Sequence, residues 1–158
     1  MLYATLKAFH LLAVVVWVGG MAFVLFCLRP AARVLDAPAR IALMHAAMRR
    51  FLVLVAAAIA VIFVCGVAMV AIAWSAAARA GLRFNMPLDW YVMFAVFFVM
   101  VAVFVHIRGV LFRRLDAALR EERWADGASA LGAIRWEVSA NLVLAVFVIV
   151  LVRLGGTA

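Results

Sequence analysis

Apolar residues run through this chain in four unbroken stretches, at roughly 2–28, 51–74, 88–111 and 134–154, separated by short segments that hold most of the charge. Crossing ~30 Å of hydrocarbon takes ~20 mostly apolar residues in a helix. Each stretch meets that length, so the pattern predicts four membrane-spanning helices. The connections are too short for separate domains, and the expected architecture is all-α: an integral membrane four-helix up-and-down bundle forming a single transmembrane domain over 1–158.

The segments between spans also carry helix signals. Asp36 followed by Pro38 predicts a helix start, with Ala39–Arg50 leading into the second span. Pro87-Leu88-Asp89 repeats the signal before the third, with Asp89 as N-cap. Arg113–Glu122 alternates in charge like a solvated helix continuing from the third span. Asp126-Gly127 is expected to break it, and 128–134 to feed the fourth span. Glycines in the spans (Gly19, Gly20, Gly66) predict close helix approach.

Composition agrees: 72% of the 158 residues are hydrophobic and 14% charged, against about 25% charged in soluble domains. The net charge of +8 acquires a membrane reading, not a nucleic-acid one. Arg29, Arg33, Arg40, Arg49 and Arg50 lie between spans one and two. Arg108, Arg113, Arg114, Arg120, Arg123 and Arg135 lie between or beside spans three and four. The opposite side has Lys7, Arg79, Arg83 and Arg153. Under the positive-inside rule the two basic segments face the cytoplasm and both termini the outer, periplasmic side. The first span is too long for a signal-peptide core and is read as a retained helix. Cys27 and Cys65 both lie within spans, so no disulfide framework is expected.

In hydrocarbon, a polar side chain needs a partner or a purpose. Counting ~1.5 Å per residue from the span ends puts His10, Met69 and Met93 at a similar outer depth. Trp17, Cys65 and Met100 come near the middle, and Met21 and His106 lie towards the inner side. His45, Met44 and Met48 stand at the cytoplasmic mouth. Thioethers favour Cu(I), and imidazole suits copper, zinc and haem iron, so His10, Met69, Met93 and His106 are the candidate metal ligands. Methionine also fills irregular gaps in apolar packing. By depth, His10 and His106 differ by ~15 Å, too far for one haem, whereas His45 and His106 are closer. At the inner start of span four, Glu137 and Asn141 share a face. Glu137 either joins an interfacial patch with Arg108 or Arg29 or forms a proton or anion site beside His106; Asn141 is expected to hold helices together. No hydrolytic triad, HExxH, phosphate loop or CxxC occurs.

The segments LKAFHLLAVVVWVGGMAFVLFCLRP, FVHIRGVLFRRLDAAL and ALGAIRWEVSANLVLAVFVIVL together resemble short members of the CopD copper-resistance membrane family. The likeness covers nearly the whole chain and is most specific in its first 30 residues. It implies a protein of the bacterial cytoplasmic (inner) membrane that binds or passes Cu(I), with His10 and His106 as site residues and a periplasmic copper-binding protein as donor; because four helices are few for a complete transporter, a homodimer is one expected assembly. Where such members often carry a further histidine, this chain reads Asp89-Trp90-Tyr91-Val92-Met93, making Met93 the soft ligand there. The first helix also resembles the HemJ protoporphyrinogen oxidase family, through Lys7-Ala8-Phe9-His10 and then Trp17. That likeness implies haem b held by His10, His106 or His45 and redox chemistry on a porphyrin. HemJ proteins pair the first-helix histidine with a later lysine, and Lys7 is the only lysine here. A third alternative is a structural membrane subunit with no site of its own.

Overall fold

The computed structural model describes residues 1–155, and within them the chain is helical apart from its short connections. Four helical runs follow one another: α1 (Leu2–Val34), α2 (Ala37–Arg79), α3 (Leu88–Arg120) and α4 (Trp124–Gly155). All four are long and apolar enough to cross a membrane. Two antiparallel pairs result, so the start of α1 and the end of α4 share one end of the bundle, here the terminal end. The arginine-rich connections form the other, basic end. Arg153, counted with the terminal-end charges, has a side chain outside the described residues.

Large apolar side chains such as Phe9, Leu12, Phe26, Val64, Phe98 and Phe147 are exposed on the bundle's outer surface, as hydrocarbon surroundings allow. Inside, α1 packs along α2, and α4 packs against α3 and closes on the other two. The tightest packing lies towards the basic end, around Met21, Ile41, Met48, Leu52, Val55 and Leu115. The 19 residues Leu88–His106, by contrast, bury only Met100. Met44 and Met48 thus serve as core side chains.

Helix ends and irregularities follow local chemistry. Pro38 stands in the first turn of α2, where its missing N–H costs nothing. Pro30 removes a donor further along α1; the helix widens into a π-turn over Val24–Leu28 just before it and ends in a 3-10 turn at Ala32–Val34. A second π-turn, Ile107–Leu111, follows His106. Pro87 precedes α3, so Asp89 lies within its first turn and does not cap it.

The expected break at Asp126-Gly127 is not observed. The chain turns earlier, at Glu121–Arg123, with Glu122 in the left-handed region at φ 54°. Arg123 bridges Glu121 and Asp126 there. Gly127 is helical, and its role is spatial: a Cβ on it would lie 3.3 Å from Ile41 Cγ2 and 3.9 Å from Ala118 Cβ. Gly127→Ala should be close to neutral, since the helix-propensity gain of ~1 kcal/mol offsets a small shift of Ile41. Gly127→Leu should lower stability by ~1–3 kcal/mol through overpacking, read from unfolding in detergent. Equal behaviour of the two variants would refute this account of the glycine.

Candidate functional site

Each of the three histidines is anchored through one ring nitrogen, and each anchor is different. His10, half-buried on α1, donates from Nδ1 to the Ile62 carbonyl oxygen of α2 at 3.1 Å. A carbonyl only accepts, so the proton is on Nδ1, and the neutral imidazole presents its lone pair at Nε2. The ring lies against Gly66: a Cβ there would make ordinary contact, 3.7 Å from His10 Cε1 and 3.9 Å from Nδ1, and a longer side chain would take the ring's place. Gly20, on the other hand, gives room to the Phe51 ring, as expected of a helix-approach glycine, while nothing approaches Gly19.

Ile62, Cys65, Gly66 and Met69 recur at helical spacing and share the face of α2 that receives His10. Cys65 is a buried free thiol adjoining Gly66, on the stretch of α2 that meets His10. Met69 is half-buried one turn farther towards the terminal end, and Met93 is half-buried in α3. Leu88–His106 of α3 packs mainly on α4, so His10 and Met69 belong to one helix pair and Met93 to the other.

His106 donates from Nδ1 to Glu137 Oε1 at 2.7 Å, linking α3 to α4. Among the described residues no arginine pairs with Glu137, and its side-chain partner is His106. Glu137 Oε2 is buried and unpartnered. One turn above, buried Asn141 donates to the Met100 carbonyl at 3.2 Å, the helix-joining role expected of it. Its own Oδ1 has no partner.

His45 belongs to neither group. Its Nε2 meets Asp116 Oδ1 at 3.0 Å, and Arg120 holds the other carboxylate oxygen at 2.8 Å. The imidazole stacks on Phe112 with centroids 5.0 Å apart. Asp116 is ten residues beyond His106 on α3, roughly 15 Å along the axis, so His45 and His106 do not face each other across one ligand.

Trp17 and Phe63 bracket the distance between the two remaining groups. Trp17 is 3% exposed and meets Phe97 edge-on, with centroids 6.4 Å apart, which levels α1 with α3. His10 lies seven residues from Trp17 towards the terminal end, and His106 nine residues from Phe97 towards the basic end. Counted through Trp17 that is roughly 24 Å of axis at ~1.5 Å per residue; counted through Phe63, which stacks on Phe97 and adjoins the Ile62 carbonyl that holds His10, it is roughly 14 Å. On either count the two imidazoles are too far apart along the axis to hold one metal ion between them.

Among the described residues no three His, Cys, Asp or Glu side chains converge on one point. A metal at either level would rely on imidazole and sulfur, or on imidazole with one carboxylate. Both His10 and His106 nevertheless show the support typical of ligating histidines, the second ring nitrogen being fixed by a carbonyl or a carboxylate. Spacing in the sequence contains the hint for Cys65 and Gly66; a backbone acceptor such as the Ile62 carbonyl leaves no trace in it.

The family model described as CopD, copper resistance protein D, matches residues 45–154, from His45 through α3 to near the end of α4. The match lies beyond α1. Comparisons with curated proteins and with solved structures gave no match.

Proposed function

The chain belongs to the copper resistance protein D family, and we propose that it binds Cu(I) at His10 and passes it through the membrane towards His106. Its four apolar helices make it a multi-pass membrane protein. In the proposed arrangement the basic end faces the cytoplasm of a bacterial inner membrane. Cu(I), the cargo, arrives at the terminal end, delivered by a periplasmic copper-binding protein.

The observation that carries the reading is the His10 anchor. Nδ1–H is held by the Ile62 carbonyl, Nε2 is left to coordinate, and the ring rests on a glycine beside a buried thiol. Cu(I) is the first-row ion that best matches imidazole with thioether and thiolate. His10 and Met69 form the proposed capture site, with Cys65 beside them and Met93 approaching from α3. Buried Met100 stands between this level and His106, whose Glu137 partner supplies negative charge for a departing cation.

The test is Cu(I) retention by the purified protein in detergent under reducing conditions, with an absorption spectrum of the same sample. Roughly equimolar Cu(I), resistant to a moderate competing chelator, and no Soret band are expected. A Soret band in the protein as purified would transfer the His10 site to a haem. Failure to retain Cu(I) would leave the structural-subunit reading.

A further inference from the structure

The basic end contains a cavity that the copper reading does not use. It has a volume of about 200 Å³ and lies where α1, α2 and α4 meet. Arg29 and Arg33 reach it from α1, Arg40 from α2 and Arg135 from α4. Arg29 and Arg40 are half-buried. No acidic side chain lines the cavity. Among the described residues none of the four arginines has a carboxylate partner: the acids that pair at this end go to His45, Arg120, Arg123 and His106. The remaining wall is apolar, with Val24, Leu25, Ile41, Met44, Leu131 and Val138 among it.

Four guanidinium groups from three helices repel one another unless a negative charge lies between them, and beside apolar walls that repulsion is poorly screened. Guanidinium forks match phosphate oxygens in pairs. The cavity is smaller than the ~300–1,000 Å³ of sites for drug-sized ligands, so it suits a small anion or a headgroup. Its position is that of the basic inter-helix pockets that take anionic lipid headgroups. The same field repels a metal cation, so Met44 and Met48 are poor stations for Cu(I) despite their sulfur.

We propose that this cavity is a phosphate-binding site, formed by Arg29, Arg33, Arg40 and Arg135, for the phosphate of an anionic lipid headgroup or a free phosphate anion. Occupancy ties α1, α2 and α4 together at the end where the core is densest, and it is independent of what His10 binds.

The experiment uses the full-length protein, delipidated in detergent, and follows its unfolding temperature with phosphatidylglycerol, phosphatidylcholine or inorganic phosphate added. Phosphatidylglycerol should raise the midpoint saturably, and phosphatidylcholine should not. The double variant Arg29→Gln/Arg135→Gln should need about 25-fold more phosphatidylglycerol, about fivefold per arginine. Arg29→Lys/Arg135→Lys should keep most of the response. Arg113→Gln/Arg114→Gln, two exposed arginines off the cavity, should leave it unchanged. A response to phosphatidylglycerol alone assigns the site to a headgroup; an equal response to inorganic phosphate, lost in the same glutamine pair, assigns it to the free anion. The proposal is overturned if the natural chain responds to neither anion, or if the glutamine pair responds as the natural chain does. It is also overturned if Arg113→Gln/Arg114→Gln weakens the response as much, since generic surface charge would then explain it. Should the glutamine pair fail to fold, Arg33→Gln, at an exposed rim position, makes the same comparison with a single fivefold step.

Discussion

A His10→Ala chain is expected to lose Cu(I) retention to background while His45→Ala keeps it. The two histidines differ in what surrounds them. Each has one ring nitrogen engaged, but His45 stacks on Phe112 and lies beside Arg49 and Arg50, whose charge repels a cation, whereas His10 rests on the α2 face that carries Cys65 and Met69. Gly66 grades the same prediction. A methyl at residue 66 would meet the ring at 3.7 Å, an ordinary contact, so Gly66→Ala should bind normally. Leucine would fill the seat and push the ring off the Ile62 carbonyl. Losing such an orienting partner costs ~10–100-fold in metal affinity, and Gly66→Leu should fall by that much. Competition with a Cu(I) chelator under reducing conditions measures all four variants. If His10→Ala retained Cu(I), the outer site would not exist; if Gly66→Leu bound normally, the ring would not need its anchor.

Much of the fold is legible in the sequence because lipid leaves few alternatives. Backbone groups in hydrocarbon must be satisfied within the segment, so four apolar runs of the right length mean four helices. Pro38 and the alternating charges after Arg113 also give the helical extensions beyond the spans. The errors come where one residue has two uses. Asp126-Gly127 is a turn signal in water, but here the glycine lets α4 approach Ile41, and Glu122 takes the left-handed turn that nothing in its type advertises. The π-turns near Pro30 and after His106 shift the helix faces beyond each, which a count at 3.6 residues per turn does not anticipate.

The site is only partly legible, for a different reason. Depth counting is coarse: it groups Glu137 with His106 correctly, yet it sets His45 close to His106, whereas the Asp116 that holds His45 lies ten residues farther along α3. The Asp116 partner that holds His45 away from His106 is an ordinary helix-surface acid in the sequence. Gly66 reads as a packing residue until the imidazole resting on it is seen. Likewise the eleven basic residues of the inner segments read as a uniform topological signal. Their charge assigns an orientation, but only the packing of α1, α2 and α4 brings four of them around one cavity and leaves the others outside.

Trp17→Ala is expected to be the most destabilising truncation in the outer half of the bundle, because so little else joins α3 to α1 and α2 there. Trp17 meets Phe97, and Phe97 stacks on Phe63 of α2 at 6.3 Å, so one aromatic group spans three helices. In a water-soluble core such a change costs ~3–5 kcal/mol. Within a bilayer the unfolded reference is already apolar, and the transfer contribution falls away while the lost contacts remain; ~2–3 kcal/mol is the expected loss. Trp17→Phe should cost less than half of that, since an aromatic edge is kept. Phe98→Ala should cost under ~1 kcal/mol, because that ring is 56% exposed and surface positions contribute little. Reversible unfolding in mixed micelles ranks the three. Below its lowered midpoint, Trp17→Ala should still bind Cu(I) normally, because the His10 ring is anchored two helical turns away at Ile62 and Gly66. A joint loss of stability and binding would mean that the aromatic group holds α1 in register on α2, making it part of the site and not only of the scaffold.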